Sequence, residues 1–169
     1  MTDDEIHAAL VQWIAATTGA TVIQAYQSAP PPAEPYISVA LTATREVLAH
    51  AIQAPITATG GTTEDGKDEL EQTPNVDHEW QFSLQSVGAG CEGLLRKIKN
   101  ASHSPYAMQS LHPIKLHSVG NVNRLPDAQN LRWDDRAACD LILRGITRDA
   151  LTITIETIET APVTITRTA

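Results

Sequence analysis

With 169 residues, 42% of them hydrophobic, the chain fits one globular unit, and at that length a core buries roughly 70% of the unfolded surface without a disulfide or metal staple. A net charge of −8 excludes a general attraction to nucleic acid or anionic membrane. Aromatics are only 4%, and the many threonines beside small aliphatics favour strands over a large aromatic cavity.

The first element is a helix. Ile6, Ala9, Leu10, Trp13 and Ile14 fall on one apolar stripe, Thr2 and Glu5 have the spacing of a capping box, and Gly19 stands where a left-handed cap belongs. Thr21 to Tyr26 reads as a short strand, and Pro30, Pro31, Pro32 and Pro35 impose an extended connector. Tyr36 to Ala43 alternates, with Ile37, Val39 and Leu41 on one face, and Glu46 to Ile52 either continues that strand or starts the next.

Between Ala54 and Asp77 the periodicity collapses into Pro, Gly, Thr and charge: Glu64, Asp65, Asp68, Glu69, Glu71 and Asp77 against Lys67 alone. The expectation is a long exposed acidic loop or hairpin tip, partly disordered in isolation. His78 to Val87 is the cleanest strand, with Trp80, Phe82 and Leu84 opposite Glu79, Gln81, Ser83 and Gln85. A helix over Cys91 to Asn100 follows, then a second short helix from Ser104-Pro105 to His112-Pro113. Ile114 to Val122, Arg136 to Thr147 and Leu151 to Ile158 read as strands, the last two joined by a tight turn at Arg148-Asp149; Pro162 to Ala169 adds an edge strand or trails as an arm. The order predicts an α+β fold, a mainly antiparallel sheet with an N-terminal helix and a central helix pair packed on one face, forming one domain with the acidic loop at about 54–77.

Chemistry-bearing motifs are few. Gly88-Ala89-Gly90-Cys91-Glu92-Gly93 spells G-x-G-x-x-G between a strand and a helix, which in a small nucleotide-binding protein would cradle a pyrophosphate. The preceding strand is polar on one face, however, and Leu111 to Leu116 lacks the acidic residue that would hold a ribose, so a glycine-rich turn is the simpler reading. His103, His112 and His117 lack ligand spacing. Cys91 and Cys139 are expected as buried, reduced thiols. The start of the chain is acidic where a signal peptide would be basic, and no apolar run reaches the ~20 residues of a membrane span, which points to a cytoplasm. Asp134 and Asp135 alone do not make a Mg²⁺ site. The expectation is no enzyme, no cofactor and no metal.

Charge layout says more. Gly93 to Arg124 carries Arg96, Lys97, Lys99, Lys115 and Arg124 with no Asp or Glu, against the acidic run from Asp65 to Glu79. The two are either separate solvated patches or the halves of a head-to-tail contact between copies, a geometry that closes into rings. Nucleic-acid binding by the basic stretch lacks interleaved aromatics.

Three stretches together resemble the tail-terminator, or neck, proteins of tailed bacteriophages: Thr2-Asp3-Asp4-Glu5-Ile6 through Gly19, Pro30-Pro31-Pro32-Ala33-Glu34-Pro35-Tyr36-Ile37-Ser38-Val39, and Trp133-Asp134-Asp135-Arg136-Ala137-Ala138-Cys139-Asp140-Leu141. The likeness covers most of the chain except about 54–77. It implies a structural virion protein that forms a ring, a homohexamer, on the tail tube, ends tube growth and joins the tail to the head-side connector. The implied partners are sister copies, tail tube protein, the connector or stopper and, as a further candidate, tail sheath, with genomic DNA passing through the ring. Candidate contact residues are Glu64, Asp65, Asp68, Glu69 and Glu71 on the loop, Arg96, Lys97 and Lys99 on the central helix, and Trp133, Asp135 and Arg136 where the closing hairpin opens. The acidic loop either lines the channel or grips a neighbour.

Overall fold

The computed structural model describes residues 2–48, 55–62, 68–106, 108–125, 127–129, 132–147 and 153–155. Helix α1 (Asp3–Thr18) starts at the expected capping box: the Glu5 amide donates to Thr2 Oγ1 at 3.3 Å, and the Thr2 amide donates to Glu5 Oε2 at 2.9 Å. Gly19 ends it in the left-handed conformation, with φ 72°. Strand β1 (Thr21–Gln24) then pairs in parallel with β2 (Tyr36–Glu46), the proline-rich connector carrying the chain back between them.

β5 (Val76–Val87) and β10 (Arg136–Thr147) form the centre of the main sheet, paired antiparallel over their whole length from Arg136 opposite Val87 to Thr147 opposite Val76. The strand order is β1-β2-β5-β10-β6, with β6 (Lys115–Val119) on the far edge and β7 (Asn123–Arg124) continuing along β10. Helix α2 (Cys91–Ala101) and α1 cover one face. Leu10, Ile14, Phe82, Leu84, Leu95, Ile98, Leu141 and Leu143 are fully buried there. Each such side chain contributes about 1.5–3 kcal/mol relative to exposure, so the helix–sheet layer carries the stability. Trp80 belongs to this core, and its indole Nε1 donates to Asp3 Oδ1 at 2.8 Å, pinning the start of α1 to the sheet. Gly145 faces Trp80: a Cβ there would stand 3.4 Å from the indole ring.

The structure corrects several sequence expectations. Of the two readings of 54–77, loop or hairpin tip, the structure takes the second: β3 (Ile56–Thr62) and β4 (Asp68–Gln72) pair as an antiparallel hairpin. The Thr- and Gly-rich sequence of β3 shows no inward face because that strand is exposed almost throughout. Asp77 is not part of that loop; it lies buried in β5. Ser104 to Pro113 is not a second α-helix but contains one 3-10 turn, Gln109–Leu111. Of Ile114 to Val122 only Lys115–Val119 is strand, β6; the chain breaks at Gly120, whose amide donates to Asp140 O at 2.7 Å, and β7 follows just beyond at Asn123–Arg124. Strand β11 (Ile153–Ile155) pairs with β4, not with β10, so no closing hairpin joins β10 to β11 among the described residues. A short β8 (Asp127–Gln129) and β9 (Arg132–Asp134) pair with each other. The turn expected at Arg148-Asp149, the end of the Glu46 to Ile52 stretch, and Pro162 to Ala169 lie outside the described residues.

Candidate interaction surface

The helix-free face of the sheet is polar at its centre, where Gln81 and Gln85 are exposed, and becomes charged toward the end from which the β3–β4 hairpin leaves. One irregularity builds that charged end. β2 bulges at Thr42: Leu41 lies opposite Phe82, yet Ala43 already lies opposite Gln81. An extra residue shifts the period-2 alternation by one, so Arg45, which would otherwise share the face of Leu41, turns to the open face beside Glu79. There the Arg45 guanidinium clasps the Glu79 carboxylate, Nε donating to Oε2 at 2.7 Å.

Asp77, on the same face of β5, is held from the other side. Arg144 of β10 donates from Nε to Asp77 Oδ2 at 2.9 Å, and this hydrogen bond pushes the guanidinium pKa upward. Both carboxylates are buried, Glu79 to 7% and Asp77 to 9% exposure, beneath the stems of their arginine partners. On the helix side of the same strands, His78 Nδ1 lies 3.0 Å from Thr147 Oγ1. Paired acids from β5, flanked by arginines from β2 and β10, thus lock the three strands at the root of the hairpin. Sequence reasoning missed this cluster because Arg45 points outward only through the bulge.

The expected contact residues are not gathered into one patch. Glu71 sits in β4 opposite Thr57 and Thr154; Asp68 and Glu69 belong to the same strand; Glu64 and Asp65 lie outside the described residues. On α2, Lys97 Nζ donates to Thr18 O at 3.4 Å, capping the carboxyl end of α1, and Lys99 Nζ donates to Asn121 Oδ1 at 3.3 Å. The basic stretch is less positive in space than in sequence. Glu92 lies 3.7 Å from Arg96 and 3.3 Å from Arg124, which also reaches Asp135 at 3.3 Å, so Asp135 belongs to a charge chain with α2. Trp133 lies in β9 and Arg136 is half-buried at the start of β10.

The glycine motif forms a turn whose approach is already filled. Gly88 has φ 99°, and a Cβ there would stand 2.9 Å from Glu34 Cβ and 3.1 Å from its Oε2. A carboxylate occupying that space opposes a pyrophosphate. Among the described residues no three His, Cys, Asp or Glu side chains group as metal ligands, and no helix is long and apolar enough to cross a membrane. Cys91 and Cys139 are free and buried; desolvation pushes both thiols upward, Cys139 to about 11.

The family of phage neck terminator proteins matches residues 4–168. The chain belongs to that family. Its fold is similar to that of the sheath/tube terminator of an extracellular contractile injection system in the extended state: the TM-score is 0.53 at 10% identity, over 100% of this chain and 65% of the other. The chain thus spans 65% of the length of that terminator. No curated protein matches the sequence. Membership of the terminator family gives the chain a structural, tail-terminating role.

Proposed function

We propose that this terminator is a non-catalytic ring subunit of the phage neck: copies assemble head to tail, a hexamer, cap the finished tail tube, stop its polymerisation and join it to the head-side connector. The family match over 4–168 carries the reading. The fold supports it, since β1 and β6 each pair on one side only among the described residues, leaving two short sheet edges as joints between copies. The chain acts as one unit, with the acidic β3–β4 hairpin as its reaching element toward a neighbour or the channel. Likeness to a sheath/tube terminator adds tail sheath as a partner if the tail is contractile. The ring forms in the host cytoplasm and stays in the virion, with genomic DNA passing through it.

Light scattering and electron microscopy of the purified protein, alone and with tail tube, test this. Rings, or oligomers induced by tube ends, are the expected result. A protein that remains monomeric at every concentration and ignores tube and connector overturns the reading.

A further inference from the structure

Among the described residues Tyr26 is the most exposed large hydrophobic one, at 95%, and the only non-glycine residue with a positive φ, 63°. A bulky residue pays backbone strain in that conformation, and such strain persists where presentation of the side chain matters. It lies two residues beyond β1, the strand at one edge of the main sheet.

At the opposite edge an apolar groove of about 480 Å³ opens beside β6, lined by Pro105, Met108, His112, Ile114 and Leu116, with exposed Gln109 at its mouth. That volume falls in the range that takes compact ligands, about 300–1,000 Å³, and admits an aromatic ring. Charge agrees in sign. From Ala20 to Thr44 the only charged residue is Glu34, which is exposed, whereas Lys115 lines the groove.

We infer that Tyr26 of one copy seats in the Met108–Leu116 groove of the next copy. A protruding anchor and a matching recess at opposite ends of one sheet are what a repeating head-to-tail contact requires, since each subunit then offers a different patch to each neighbour. This rests on the ring reading above and names the joint.

Two single variants, Tyr26→Cys and Gln109→Cys, test it when mixed with a bifunctional maleimide; the native thiols are buried. Crosslinked dimers are expected in the mixture and not in either variant alone. Tyr26→Ala should stay folded while associating roughly 30-fold more weakly, with Tyr26→Phe restoring association. If oligomers form but the mixture does not crosslink and Tyr26→Ala assembles normally, this joint is wrong while the ring reading survives. If no oligomer forms, with or without tube, both fall.

Discussion

Arg144 of β10 reaches across to Asp77 of β5, Nε to Oδ2 at 2.9 Å, at the point where the sheet gives way to the hairpin. Its counterpart, Arg45 on Glu79, closes the opposite side of β5. Asp77→Ala leaves Arg144 without this acceptor and should lower Tm by roughly 3–6 °C in a thermal melt. A double-mutant cycle with Arg144→Ala should show the two losses to be less than additive. Strict additivity would mean that the two side chains do not communicate.

Core and open face should respond differently. Leu141 is fully buried between the sheet and the helices, so Leu141→Ala should cost about 2–5 kcal/mol in chemical denaturation. Gln85→Ala, on the exposed face, should change stability by no more than ~0.5 kcal/mol.

The two outer glycines of the G-x-G-x-x-G motif should behave oppositely. Gly88→Ala forces a Cβ against Glu34 and Pro35 at φ 99° and should destabilise by about 1–3 kcal/mol. Gly93, inside α2 with open space around it, should stabilise on change to alanine by up to about 1 kcal/mol. Melting curves of both decide it, and adding nucleotides should shift neither these nor the parent protein.

Burial holds the Cys139 thiol protonated up to about 11, against 9.0 when unfolded. The folded state therefore binds more protons across that window, and stability should be intact below pH 9.0 and decline as pH rises toward about 11. Iodoacetamide at pH 8 should spare Cys139 in the folded protein and modify it after unfolding in urea.

Replacing Thr57 to Glu71 by a short Gly-Ser linker should leave Tm within a few degrees, because β3 contributes nothing to the buried cluster. Assembly on tube ends should fail. Unfolding of the shortened protein would make the hairpin part of the core.

What could be read from sequence was what burial had written into it. α1, β5, α2 and β10 alternate or repeat because one side of each faces the core, and their limits fall within two residues of those expected. β3 and β4 left no such mark, since neither face of β3 is covered. The parallel pairing of β1 with β2 is invisible in residues that would serve either direction. Ser104-Pro105 carries a helix-start signal, yet the following residues form one tight turn. The ion pairs at the hairpin root depend on the bulge at Thr42, which no local pattern announces. The contact residues chosen from charge were dispersed for a related reason: Glu92 and Asp135 lie beside the basic run in space, though both fall outside it in the chain.

Since β5 and β10 pass without interruption from beneath the helices to the charged root, a pull that reaches Asp77 and Arg144 is carried along both strands into the helical layer.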